Sequence, residues 1–340
     1  MINDPHNQII HDFLLKNEFF NITESVIERA NKISNTKNKN RKKELKEATA
    51  NLNEQIKKYP LLYNDILLKS IKLQLEFRNK NISEIVNELD ETYWSLKESK
   101  MTDLRQLEEL YPDNKDIKTF PAYTWLLHIR FKLKKSYTSK DESEFRYSNN
   151  PILRDRLLGC PMVTPSTWKG NLRFAARKVD DINNEIINRL FGPESNKEEN
   201  ARKGRLYFYP TFFTGKVEKD VITPLSRETR TPVRGPIDME VVPAGETGDF
   251  YLLYFPYPKG KDWKLEEVTE DLNFTVKALQ EMFLEYGFSA KKTSGFGVIH
   301  EIFEELSLWW DGKNENKNIA SGKVKNFEQL HEEIKMGVVK

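Results

Sequence analysis

The rhythm of apolar and polar positions changes once along this chain. From residue 1 to about 118, apolar residues recur at helical spacing, as in Ile9, Ile10, Phe13 and Leu14, and again in Leu61, Ile66, Leu67, Ile71, Leu73 and Leu75. Steps of three and four put such residues on one face of a helix. This half is very poor in glycine, the helical pattern continues through Ile82–Leu89 and Met101–Leu110, and Pro112 and Pro121 punctuate its end. These signs predict an all-helical N-terminal region over 1–118. Within it, Lys37–Lys58 is almost entirely polar, which fits either a solvated helix or a basic arm.

From Tyr123 the signals are those of strands and turns. Trp125–Leu133 alternates, with Leu127, Ile129, Phe131 and Leu133 on one face and His128, Arg130, Lys132 and Lys134 on the other. That pattern predicts a half-buried strand with a basic outer face. Ser166–Val179 predicts a helix, with Ser166 or Thr167 as N-cap after Pro165. Lys169, Arg173 and Arg177 then lie roughly along one of its faces. Gly204–Phe213 predicts a strand that bends or ends near Pro210. Asp249–Phe255 predicts another strand, Phe274–Tyr286 an amphipathic helix, and Gly295–Phe303 a last strand. The order strand, helix, strand, strand, helix, strand is that of a ferredoxin-like or RRM-like α+β fold. Long insertions fall at about 136–165 and 214–248, where loops of such length usually carry function. The expected division is a helical region 1–118, an α+β domain 119–310 and a C-terminal extension 311–340. Tyr207, Phe208, Tyr209, Phe212 and Phe213 crowd the second strand. Alternation sends about half of them inward, so core packing is the default for each ring.

Composition narrows the function. Apolar residues make up 38% of the 340 residues and charged residues 31%, enough for a sizeable core in a charge-rich globular protein. The net charge of +2 gives no general affinity for polyanions, so any such affinity must come from local clusters of Lys and Arg. A single cysteine, Cys160, excludes a disulfide framework within the chain and a cysteine-based zinc site. The N-terminus lacks a basic segment followed by an apolar run, and no apolar stretch reaches ~20 residues, so a cytoplasmic protein is expected. The histidines are His6, His11, His128, His300 and His331, with no close metal-ligand pair. The phosphate loop of nucleotide hydrolases and the serine nucleophile elbow are both missing. Neither metal nor cofactor is expected, and no catalytic residue is assigned.

Three segments could meet phosphate. In Asn150–Arg177 a proline-rich turn leads to a helix start bearing Ser166, Thr167, Lys169, Gly170 and Arg173. The first-turn N–H groups of a helix and its dipole favour an anion, and Gly170 would let a phosphate backbone approach closely. Arg227, Arg230 and Arg234 stand close together in the second insertion, either as phosphate contacts or as a solvated loop paired with Glu228 and Asp238. Lys291, Lys292, Thr293 and Ser294 precede Gly295 and Gly297, where ammonium, hydroxyl and backbone N–H groups could cradle a phosphate.

The first of these segments resembles the signature of the RAMP superfamily of CRISPR-associated proteins. The matching residues are Pro151, Ile152, Leu153, Asp155, Gly159, Pro161, Val163, Pro165, Ser166, Thr167, Lys169, Gly170, Leu172 and Arg173. Four further blocks follow in family order: Arg189–Gly192 (RLFG), Gly204–Phe208 (GRLYF), Val242–Phe250 (VPAGETGDF) and Lys291–Val298 (KKTSGFGV). The resemblance spans about 123–305 and omits the N-terminal 118 residues. Pro165-Ser166-Thr167-Trp168 stands where the family usually has Gly-Ser-Ser-Leu, a less permissive loop. The resemblance implies an RNA-binding structural subunit of a type III-like ribonucleoprotein effector. Such a subunit contacts guide RNA through phosphate and sugar, packs against other CRISPR effector subunits and can meet target RNA. On this reading the RNA contacts are Ser166, Thr167, Lys169, Gly170, Arg173, Arg227, Arg230, Arg234, Lys291, Lys292, Ser294 and Gly295. RNA-cutting backbone subunits of the family carry an aspartate two residues before the proline matching Pro151. Asn149 occupies that place here, and an amide cannot replace a carboxylate in metal binding or proton transfer. The alternative is a precursor-RNA endoribonuclease of the same superfamily, with His128 or His300 as general acid or base.

Overall fold

The computed structural model describes ten residues of the N-terminal region (Asp65, Leu68, Lys69, Ile71, Lys72, Asn87, Asp90, Glu91, Tyr93 and Trp94). It then describes 111–112, 114–117, 119–142, 146–156, 158–179, 183–193, 203–224, 226, 228–229, 231–232, 235–256, 264–312, 315–318 and 324–338. The ten N-terminal residues are helical. The remaining helical segments expected up to Leu110, including Lys37–Lys58, lie outside the described residues.

The chain divides into two compact units. The larger comprises Lys100–Asp141, Ile152–Asp220 and Glu240–Lys340. Along the chain the elements begin with a short helix α1 (Asn114–Ile117), then β1 (Trp125–Lys132), β2 (Met162–Val163), α2 (Pro165–Ala176) and α3 (Asn184–Phe191). Next come β3 (Leu206–Phe208), β4 (Thr211–Phe212), β5 (Glu218–Ile222), β6 (Ile237–Val241), β7 (Thr247–Tyr254) and α4 (Leu265–Gln280). The chain ends with β8 (Glu305–Gly312), β9 (Glu315–Asn318) and α5 (Phe327–Val338). The main sheet is antiparallel with order β3-β7-β1-β8-β9. Its first four strands, in the order second, third, first and fourth, form the ferredoxin-like sheet that the sequence predicts. β2 pairs with β4, and β5 with β6, in separate two-stranded sheets. No helix of the described residues is long and apolar enough to cross a membrane.

The alternation of β1 sends Phe131 into an aromatic core, with ring centroids 6.2 Å from Trp168, 6.4 Å from Phe213 and 5.6 Å from both Phe283 and Phe288. Trp168 of α2 is fully buried and meets Phe250 at 4.8 Å. Its indole N–H donates to Thr211 Oγ1 at 3.1 Å, and that hydroxyl donates to the Asp249 carbonyl at 2.7 Å. The tryptophan that breaks the expected loop pattern is therefore a core residue with its one polar atom satisfied.

A buried ionic cluster ties α3, β3, β7 and α4 together. The Asp271 carboxylate accepts from Arg189 Nε at 2.8 Å, Arg205 Nη1 at 2.9 Å and Tyr254 Oη at 2.7 Å. Arg205 also donates to Glu267, and Arg189 to Glu270. Within the first insertion Arg154, in contact with Glu240, holds a turn in which Asp155 Oδ1 accepts the Leu158 N–H at 2.8 Å. That is the Asx-turn role of a short acidic side chain.

Four expectations are corrected. The N-cap of α2 is Thr164, not Ser166 or Thr167: its hydroxyl accepts the Thr167 N–H at 3.1 Å, and Pro165 opens the helix. The second main helix starts at Leu265 rather than Phe274; Leu265, Val268 and Leu272 already stand at helical spacing in its first turns. The last strand is Glu305–Gly312, not Gly295–Phe303; the earlier stretch makes only a bridge at Leu133↔Ile299. Finally, the outer face of β1 is not solvated along its first half, since Leu126 and His128 are buried. Leu126 packs with Ile117 and Leu253, and Phe120, Tyr207, Tyr209, Tyr251 and Trp309 close around them.

The smaller unit comprises Met1–Ser99, Glu142–Pro151 and Val221–Met239. Its described residues centre on Tyr147, whose ring lies 4.6 Å from that of Tyr93 and 4.7 Å below Lys72 Nζ, and whose hydroxyl donates to Asp90. Beside it, buried Arg146 and Asp65 pair at 3.1 Å.

Candidate nucleic-acid interface

In an RRM the sheet face opposite the helices stacks bases. Here that face is occupied. Besides the Ile117 and Phe120 contacts, Tyr111 stacks on Tyr251 at 4.4 Å and Tyr251 on His128 at 4.2 Å. His128 is 7% exposed, and its Nε2–H donates to Asp249 Oδ1 at 2.8 Å. His128 is thus held between a tyrosine ring and a carboxylate, with little of its surface open to solvent. The other candidate residues lie on the helix and loop side.

On that side α2 presents a stripe of Ser166, Gly170, Phe174 and Arg177, all exposed, while Trp168, Leu172, Ala175 and Ala176 face the core. A Cβ added at Gly170 would meet no atom within 4 Å, so no packing within the described residues requires a glycine there. Lys169 and Arg173 lie along one flank of the stripe. Burial, then the positive charges of Arg173 and Lys203, hold the Lys169 ammonium below its ordinary range. This is a concentration of positive charge that an anion would relieve. Arg173 is itself engaged, donating to the carbonyls of Phe191 at 2.9 Å and Gly192 at 2.6 Å, where it caps the end of α3.

The other flank is the glycine loop. Gly287 and Gly297 have φ of +71° and +76°, and a Cβ at either would come within 2.7 Å of neighbouring atoms. These two glycines let the loop fold back on itself and lie beside α2. Asn171 joins the two elements: its amide donates to the carbonyls of Thr167 at 2.9 Å and Phe288 at 3.3 Å, and its Oδ1 accepts from Lys292 Nζ at 3.0 Å. Burial lowers the Lys292 pKa. Lys291, Ser294 and Gly295 lie on the solvent side of this loop, and a Cβ at Gly295 (φ +79°) would also meet open space.

Three expected phosphate donors are already used. The N–H groups of Ser294 and Gly295 close turns onto Lys291 and Lys292 at 2.9 and 2.8 Å, and the Thr167 N–H is taken by Thr164. The positive charge that remains here is on side chains, chiefly Lys169, Lys291 and Lys292, near the open backbone at Gly170. Ser166, Thr167, Lys169, Gly170, Arg173, Lys291, Lys292, Ser294 and Gly295 come together in one region. Arg227, Arg230 and Arg234 lie outside the described residues. Asn171, Phe174, Lys178 and Lys203 were not singled out from the sequence, because their part depends on tertiary neighbours.

The family model of the RAMP superfamily matches residues 124–300, which span β1, α2, the ionic cluster and the glycine loop. The chain belongs to the RAMP superfamily. It is similar to the CRISPR system Cms endoribonuclease Csm3 of Streptococcus thermophilus, with 26% identity over 177 residues, 46% of this chain and 76% of that protein. Among solved structures it is similar to a chain of the Type III-B Cmr-beta complex bound to cognate target RNA. That match has a TM-score of 0.47 and 12% identity over 73% of this chain and 90% of the other. It is also similar to a chain of the Csm3-Csm4 subcomplex of a type III-A CRISPR-Cas interference complex, with a TM-score of 0.40 and 17% identity over 63% and 96%. Within the RAMP blocks of this chain, the arginines of RLFG and GRLYF are partners of Asp271, while Lys169 and Lys292 are half-buried and Lys291 is exposed.

Proposed function

We propose that this RAMP protein is an RNA-binding structural subunit of a type III-like CRISPR effector. In this reading it holds guide RNA by its phosphate–sugar backbone along α2 and the glycine loop. The observation that carries this is the open stripe at Gly170, with the Lys169 cluster on one flank and Asn171-bound Lys292 on the other. Lysines around exposed backbone suit sequence-independent phosphate contact. Arg227, Arg230 and Arg234 are further phosphate contacts in this reading. Residues 119–310 serve as the RNA-binding domain, and the helical region 1–118 docks neighbouring subunits.

The proposal includes no cleavage by this chain. Asn149 is exposed at the place where cutting relatives are expected to carry aspartate, and His128 is enclosed. Asn149→Asp should therefore gain metal-dependent cutting of a target paired to guide in the assembled complex. Cutting of that target by the unsubstituted protein would refute this part.

The RNA contact is tested by fluorescence anisotropy with a single-stranded RNA across a salt series. Affinity should fall steeply with salt, and Lys169→Ala should make the log–log slope less negative by about 0.7, the share of one phosphate contact on a single strand. An unchanged slope and affinity would remove Lys169 from the interface.

A further inference from the structure

Phe174 has no role in the phosphate contact above, yet it is the large apolar side chain that α2 leaves in solvent, 38% exposed. Its surroundings are unusual for a stray surface ring. Lys292 Nζ lies 4.2 Å from its centroid and Lys178 Nζ 5.9 Å, while Tyr286 meets it edge-on at 5.4 Å and 87°. Lys292 is held there by Asn171 Oδ1 at 3.0 Å, and among the described residues no carboxylate pairs with Lys292 or Lys178. An aromatic ring thus stands beside two ammonium groups to which the described residues bring no carboxylate.

We propose that Phe174 is a base-stacking platform: one nucleotide of a bound single strand packs its base on the exposed ring while Lys178 and Lys292 take the adjoining phosphates. A nucleotide supplies both halves of the match, a flat π face and an anion one bond system away. An acidic peptide supplies only the charge. The spacing along α2 agrees, since Phe174 follows Gly170 by one helical turn on the same exposed stripe, so a strand passing Gly170 reaches the ring next. Stacking accepts any base, so it would add affinity without sequence preference. Tyr286, packed against the ring edge, fixes the platform's orientation.

This inference rests on the RNA-binding reading, and its test separates the two. The binding of a fluorescein-labelled 20-nucleotide oligouridylate is compared with that of an abasic ribose-phosphate strand of the same length, for the unsubstituted protein, Phe174→Ala, Phe174→Trp and Lys292→Ala. The unsubstituted protein should prefer the base-bearing strand. Phe174→Ala should weaken that strand by about tenfold, the scale of losing one stacked base, and leave the abasic strand unchanged. Phe174→Trp should restore the preference. Lys292→Ala should weaken both strands and lower the salt dependence. If Phe174→Ala binds both strands as the unsubstituted protein does, the platform is refuted and the ring is a protein contact. If the unsubstituted protein binds neither strand at low salt, the RNA-binding reading fails as well.

Discussion

Gly170→Ala separates the fold from the proposed contact, because the two respond in opposite directions. Gly170 lies inside α2, and a Cβ there meets nothing within 4 Å. Alanine in a helix interior is favoured over glycine by roughly 0.8–1 kcal/mol. With no steric cost to offset that gain, the unliganded protein should be stabilised by about that amount, seen as a higher midpoint of urea unfolding at unchanged slope. RNA affinity should move the other way. A methyl group on the open stripe pushes a phosphate away from the backbone and from Lys169 and Lys292. Loss of one charge-assisted hydrogen bond costs about 1.5–3 kcal/mol, or roughly ten- to a hundredfold in affinity. Gly297→Ala is the control: at φ +76°, with Ser289 N and Cβ 2.7 Å from the added atom, it should destabilise the fold. A stabilised Gly170→Ala protein with unchanged RNA affinity would refute the close-approach argument. A destabilised one would refute the account of α2.

Two further outcomes follow from the interior. Asp271→Ala should destabilise by about 3–5 kcal/mol, since it leaves buried Arg205 and half-buried Arg189 without their shared carboxylate; a loss under about 1 kcal/mol in urea unfolding would show that the cluster does not hold α3 to α4. The Cys160 thiol is buried and pushed up to about 12 by that burial and then by the charge of Asp155. It should resist iodoacetamide at pH 8 until the protein is unfolded, because the thiolate is the reactive form; rapid labelling of the native protein would place Cys160 at the surface.

Much of the sheet was legible because β1 alternates and β3 and β7 are rich in aromatic residues. The strand misplaced at Gly295–Phe303 shows the limit. Phe296, Val298, Ile299 and Phe303 look like a strand, but the Gly297 N–H bonds Ser136 O and the Ile299 N–H bonds Phe283 O, so regular pairing resumes only at Glu305. The covering of the outer sheet face was hidden for a different reason. Tyr111, Ile117 and Phe120 are too sparse to form a periodic signal, and their burial depends on where the chain doubles back. At the candidate interface the motif named two elements that the structure brings side by side. It could not show that Arg173 turns toward the end of α3, that turn N–H groups are already bonded, or that Lys292 rests between Asn171 and Phe174. Each of these depends on contacts between residues far apart in sequence.

The most direct test of the central claim is to purify the protein from its own cells in mild salt and sequence the RNA that comes with it. The account predicts short RNAs sharing repeat-derived ends, together with other effector subunits, and less retained RNA when Lys169 is replaced by Glu. RNA-free protein that also binds no single-stranded RNA at low salt would contradict it.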